Sequence, residues 1–355
     1  MSPARRPPAE EDRDAAEPGT PEADLWFLPG PDTEEDVPPG APPLPRADRR
    51  PLFEPDAWRR AEARAGSDLA RVALLFGELD ARLRGAAEGP RRRLALREAA
   101  DLSWWSGDRV SPERLGLWMA LRIGAPDEGA QALARAGWAG RRLSGGPAPA
   151  AGLAAFLERP EDMHAAGEHG AEPGAVAALS ELLEAADDLH PVTQGALLFH
   201  AWRILGAPRT RDVEAAVLAA RHCAAMARRP GQGALFLPLA MTGAGALRGQ
   251  GPPARKLAAW LAGAEQATLG ALMLLDRLAE WRRRAAAAVA DLSGRTPGRL
   301  LETFHAWPLV SAPLGEAETG ASRAAVQRNL DRLAARGVIR EITGQGRYRV
   351  WTAAL

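Results

Sequence analysis

At 355 residues and 46% hydrophobic content, the chain is long enough for two domains, each with its own core. Its 45 basic residues balance 45 acidic ones, which excludes a global cationic field, so any contact with nucleic acid must rest on local charge. The single cysteine, Cys223, excludes an intramolecular disulfide and a cysteine-based zinc cluster.

Residues 1–54 are dominated by proline, glycine and charge, a composition that cannot offset its ordering entropy, and they are expected to be a disordered leader. Its one apolar cluster, Leu25-Trp26-Phe27-Leu28, is either a docking segment on the folded body or an isolated island. The leader has no apolar region of signal-peptide type. No stretch reads as long enough to span a bilayer, so a cytoplasmic protein without membrane contact is expected.

From Pro55 to about Leu292 the pattern is helical. One helix is expected through Trp58, Leu69, Val72, Leu75, Leu79 and Leu83, and a second ends at Gly107. Ser111-Pro112-Glu113 opens a third, with the serine as N-cap and the proline in the first turn. Shorter pieces follow over 127–140 and 150–159, then a polar loop over 160–174. Three strong helices come next, over 175–189, 191–205 and 210–229. Cys223, inside the last of them, reads as a small buried thiol. The Gly- and Pro-rich segment 230–253 is expected to be a flexible loop or small hairpin. A long helix covers about Ala254 to Leu292, and Thr296-Pro297 separates it from a C-terminal unit over 293–355.

That unit reads as three helices and a hairpin. The first runs from Arg299 to Ala306, and the second from Ala312 to Thr319, ended by Gly320. Ser322 caps the third, which Gly337 closes. In the third helix Val326, Leu330 and Leu333 share the core face. Ala324, Arg328, Asp331 and Ala335 lie opposite, with Gln327 and Arg332 on the flanks. Four arginines (323, 328, 332 and 336) stand against one aspartate, so local positive charge is available. Arginine pairs with guanine edges and glutamine with adenine edges, which suits a helix entering the major groove. Then VIREIT and RYRVW flank Gly344-Gln345-Gly346 as strand, turn and strand. Arg347 and Arg349 alternate with Tyr348 and Val350, which predicts a basic face and an apolar face.

The segment GASRAAVQRNLDRLAARGVIREITGQGRYRVW resembles winged helix-turn-helix regulators in its Ser-Arg helix start, Leu-x-x-Leu core, glycine, strand and wing. The resemblance implies double-stranded DNA as partner and Ser322, Arg323, Gln327, Arg328, Arg332, Arg347 and Arg349 as its contacts. The alternative is a winged helix used only as a protein-docking or dimer surface.

The body, with LREAADLSWWSGDRVSPERL and HPVTQGALLFHAWRILGAPRTRDVEAAVLAAR, resembles bacterial Fic-type proteins. It is closer still to an uncharacterised bacterial family with a Fic-like domain and a C-terminal helix-turn-helix. Fic enzymes transfer a nucleotide phosphate with a loop reading His-Pro-x-x-acid-Gly-Asn-Gly-Arg. Here Leu205, Arg209 and Val213 stand at the base, metal and clamp positions, and Ser106-Gly107 replaces the inhibitory Glu-Gly. The resemblance therefore implies an inactive domain. His200, Arg209, Arg211 and Asp212 are read as helix and cap residues rather than as a repurposed site. The six histidines show no metal-ligand spacing, and no cofactor or metal is expected.

The fold class expected is mainly α: a Fic-like all-helical domain over 55–292 and a winged helix-turn-helix with a short β-hairpin wing over 293–355. The function expected is a DNA-binding transcriptional regulator that is not an enzyme, its body serving as a homodimer or protein-partner module. A divergent nucleotide transferase and a non-DNA adaptor are the alternatives.

Overall fold

The computed structural model describes residues 54–121, 127–157, 173–205, 212–343 and 349–355. The expected leader, the polar loop at 160–172, Arg209, Arg211 and the wing turn with Arg347 lie outside them. Nine helices form the body up to the C-terminal unit's long support: α1 (Pro55–Arg64), α2 (Gly66–Arg84), α3 (Glu88–Trp105), α4 (Pro112–Leu121), α5 (Asp127–Ser144), α6 (Leu153–Leu157), α7 (Pro173–Glu184), α8 (Pro191–Leu205) and α9 (Asp212–Cys223), counted among the described residues. The support is α10 (Pro253–Ala288). The C-terminal unit holds α11 (Thr296–Ala306), β1 (Val310–Ser311), α12 (Ala312–Thr319), α13 (Arg323–Ala335), β2 (Ile339–Glu341) and β3 (Val350–Ala353). The protein is mainly helical, with one small antiparallel sheet in the order β1-β3-β2.

The helix expected from Pro55 to Leu83 is two helices. Ala65 leaves helical geometry at φ −103°, ψ 14°, its N–H bonded to the Glu62 carbonyl, and Gly66 starts the next helix. Apolar spacing continues across the break, which is why periodicity alone does not reveal it.

At the centre lies α8, buried along its whole run from Val192 to Trp202. A helix that is apolar all round belongs in a core. α9 packs closely on it: a Cβ added at Gly195 would stand 2.3 Å from Cys223 Sγ. Cys223 is fully buried, and burial pushes its thiol up, so it is inert at neutral pH.

The 36 residues of α10 extend for about 54 Å. By length and composition this helix could cross a bilayer, which corrects the expectation that no segment is long enough. Leu257, Trp260, Leu261, Ala264, Ala271, Leu278, Trp281 and Ala285 are instead buried within the protein.

The segment 230–252 corrects another expectation. It is irregular, as its glycines and prolines predict, but it is neither a hairpin nor an exposed loop. Leu237, Leu239, Ala240, Met241, Ala246 and Leu247 are buried. A Cβ at Gly263 would sit 1.8 Å from the Ala246 nitrogen, so loop and α10 cross backbone against backbone.

Burying irregular chain requires partners for its N–H groups. Glu98 on α3 supplies them, accepting from Leu239 N (2.7 Å), Ala240 N (2.9 Å) and Met241 N (3.2 Å). Asp80 on α2 accepts from Ala234 N at 2.9 Å. Burial raises the Glu98 carboxyl to about 7, against the pull of those three donors.

A raised carboxyl favours the fold most when protonated. The Glu98 contribution is therefore full below its ordinary value of 4.5 and lost as pH rises through about 7. Burial depresses His200 to about 3 and His222 to about 4, with the opposite sign: their contribution is lost as pH falls below 6.5. In a comparison of wild type with Glu98→Gln the histidines cancel. Wild type should lose stability relative to the variant between pH 5 and 8, by an amount on the order of 3 kcal/mol. Denaturant unfolding at the two pH values measures it, and a pH-independent difference would remove Glu98 as the source.

Candidate nucleic-acid interface

The helix-turn-helix is built from capping and close approach. Ser311 Oγ accepts from Leu314 N at 3.3 Å to start α12. Gly320 ends it with φ 66°, the left-handed conformation that favours glycine. Ser322 Oγ then accepts from Ala325 N at 3.4 Å to start α13. The two helices meet at Gly315, where an added Cβ would lie 2.9 Å from Val326 Cγ1. Leu300, Phe304, Leu314, Val326, Leu330, Leu333 and Trp351 form the buried centre.

The opposite side of α13 exposes Ala324, Arg328, Asp331, Arg332 and Ala335. Of its arginines, Arg323 is paired with Glu316 on α12. Arg336 holds Asp291 and the Ala288 carbonyl at the end of α10, and its hydrogen bond brings the Asp291 carboxyl down to about 2. Arg328 and Arg332 make no ion pair with any described residue. One turn apart, they are the available positive charge on this helix.

The wing differs from the expected pattern. Along β3, Trp351 and Ala353 are buried while Val350 and Thr352 are half-buried. With a period of two, Arg349 shares the phase of Trp351, so the inward apolar face is not the one that carries Val350. The Arg349 guanidinium lies over the Trp351 ring, 4.9 Å from its centroid. It also pairs with Glu341 (2.6 Å) and with Asp331 on α13 (3.2 Å). Its hydrogen bond brings the Glu341 carboxyl below the usual range. Asp331 further accepts from Gln327 Nε2 at 3.2 Å. Thus Gln327, Asp331, Arg349 and Glu341 form one chain across recognition helix and wing. Arg347 lies outside the described residues.

Sequence reasoning missed the third strand. β1 is only two residues, with Val310 opposite Trp351 and Ser311 opposite Val350. It also missed the attachment of this unit to the body. Arg93 on α3 is buried and donates to the Phe304 carbonyl at 3.1 Å and to the Trp307 carbonyl. Burial lowers its pKa to about 10, so it stays cationic at neutral pH. Trp281 Nε1 on α10 donates to the Val338 carbonyl at 2.8 Å, ahead of β2. Arg284 reaches the Ala354 carbonyl at 3.1 Å.

In the body, His200 is buried against Trp58 and Phe199, and its low pKa keeps it neutral. Asp212 pairs with Arg203 at 2.7 Å. Leu205 ends α8. Among the described residues no group of three or more His, Cys, Asp or Glu is arranged to hold a metal ion.

A family model described as an HTH DNA binding domain matches residues 297–353. No curated protein matches the chain. The matched segment covers α11 through β3, and this C-terminal unit is a helix-turn-helix DNA-binding domain.

Two substitutions should separate folding of this unit from its attachment. Leu330→Ala empties a fully buried position and should cost about 2–5 kcal/mol in thermal or denaturant unfolding. Arg93→Met leaves two buried carbonyls unpaired, at about 1–3 kcal/mol each. It should speed amide exchange at residues 304–310 more than at α13, and uniform exchange across both would remove Arg93 as the anchor.

Proposed function

We propose that the protein is a DNA-binding transcriptional regulator of the cytoplasm, whose helical body serves dimerisation or partner sensing. The observation that carries this reading is the pair Arg328 and Arg332, solvent-exposed on the free face of α13 and without ion-pair partners among the described residues. Helix-turn-helix proteins turn that face into the major groove. The body is read as a Fic-like domain of bacterial type, inactive in nucleotide transfer. What supports inactivity is the absence of the His-Pro-x-x-acid-Gly run from the sequence. His200, buried and with its basicity depressed by that burial, is also poorly suited to act as a general base.

The full chain should bind duplex DNA with affinity that falls as salt rises, because phosphate contacts release counterions. On a site selected from genomic fragments, Arg328→Ala should cost about 1–3 kcal/mol and relax discrimination at one base pair. Fluorescence anisotropy at several salt concentrations measures both. Negligible affinity at low salt would end the reading, and labelled product after incubation with ATP and Mg²⁺ would favour a transferase.

A further inference from the structure

The face of α13 that meets the groove carries two parallel rows. One is Arg328 and Arg332, exposed and free of ion pairs with described residues. The other is Gln327 and Asp331, tied to each other and to the wing. A carboxylate on a surface meant for polyanionic DNA repels phosphate, so its placement calls for a physical account.

The hydrogen bonds give one. A carboxylate only accepts, so the group of the Gln327 side chain that faces Asp331 at 3.2 Å is its NH₂. That fixes the amide orientation and commits one of its two N–H donors, leaving the other N–H and the carbonyl oxygen to a ligand. The same oxygen of Asp331, Oδ1, accepts from Arg349 Nη1 at 3.2 Å. Among the described residues no donor reaches Asp331 Oδ2, and the side chain is 51% exposed. Two acceptors one turn apart therefore face outward. Gln327 thus keeps both a donor and an acceptor for a base edge, while Asp331 offers an acceptor alone.

Arg349 is affected in the other direction. Between Glu341 and Asp331, with its plane on Trp351, its guanidinium is held against the protein and its charge is matched. A wing arginine in that state contributes little to backbone attraction.

Resting on the DNA-binding reading above, we propose that Asp331 is the specificity-determining residue of this interface. It orients the Gln327 amide and, together with Glu341, holds Arg349 back from the phosphates. Asp331, which can only accept, then selects bases with an exocyclic amino group in the major groove, adenine N6 or cytosine N4. It disfavours guanine O6 and thymine O4, which would place acceptor against acceptor. The row Arg328–Arg332 supplies the complementary recognition of guanine acceptors. Non-specific affinity is kept low by the same carboxylate.

The test uses the full chain, a randomised 30-base-pair duplex pool, and the winning sequence selected from that pool by wild type. For Asp331→Asn the amide keeps the size of the side chain while adding donors and removing the charge. Affinity for the random pool should rise several-fold, and the slope of log affinity against log salt should steepen by about one. At one position of the site, preference for adenine or cytosine over guanine or thymine should fall toward parity. Gln327→Ala removes the contact that orients Asp331 and should weaken that preference without raising affinity for the pool. The double variant Asp331→Asn with Arg349→Gln should return the pool affinity and salt slope toward wild type. Melting temperature checks that each variant is folded, and Asp331→Glu, which keeps the charge, serves as a second probe and should keep low pool affinity.

Wild type that selects no sequence and binds no duplex would overturn the DNA-binding reading itself. Wild type that selects a site, with Asp331→Asn keeping the same base preference and pool affinity, would overturn this inference and leave that reading standing. A double variant that retains the full gain would overturn the restraint of Arg349.

Discussion

A single buried cation joins the halves of this molecule. Arg93 comes from the middle of α3, deep in the body, and ends on the carbonyls that close α11. Carbonyls at a helix C-terminus carry partial negative charge and lack partners within the helix, so a guanidinium there is favourably placed even out of water. Because the carbonyls belong to the first helix of the DNA-binding unit, the bond fixes that helix to the body. The indole of Trp281 and the guanidinium of Arg336 repeat the pattern at β2 and at the end of α13. In all three places a body-side or helix-end group meets a backbone or charge that would otherwise be stranded. The DNA-binding unit is thus packed onto its neighbour rather than strung on a linker.

Charge within that unit is distributed by the same economy. Four arginines on and beside α13 look equivalent in the sequence, yet Arg323 and Arg336 serve internal structure and Arg328 and Arg332 do not. The carboxylates that do the sorting lie on other elements: Glu316 on the preceding helix and Asp291 before α11. A count of basic residues therefore overstates the positive charge that DNA would meet. The same holds at the wing, where Glu341 and Asp331 share Arg349.

Much of the C-terminal unit was legible because its signals are local. Gly320, Ser322 and the Val326-Leu330-Leu333 stripe each act within one or two turns, and the helices end where those residues dictate. Tyr348 and Val350 look as apolar as Trp351 in the sequence, and only packing against α11 decides which side is inner. The irregular segment 230–252 was misread for a related reason. Glycine and proline announce loss of regular structure, but whether such chain is buried depends on acceptors as remote as Glu98 and Asp80. The run Ala234-Leu235-Phe236-Leu237-Pro238-Leu239 was the available clue, since six mostly apolar residues in a row rarely face water. The break at Ala65 and the two-residue strand β1 have no comparable local signal. Arg93 was invisible as an anchor because its partners are backbone atoms more than 200 positions away.

α10 has a mechanical consequence. Its early turns, around Trp260, are set in the body core, and its late turns, around Trp281, carry the DNA-binding unit. The two tryptophans stand about 30 Å apart along one unbroken rod. A rod held at one end and loaded at the other works as a lever. A tilt of roughly 5° at the core would carry the far end through nearly 3 Å, comparable to the spacing between stacked base pairs. Any shift of the packing around its early turns would thereby displace the DNA-binding unit, together with α3, whose Arg93 holds the same unit.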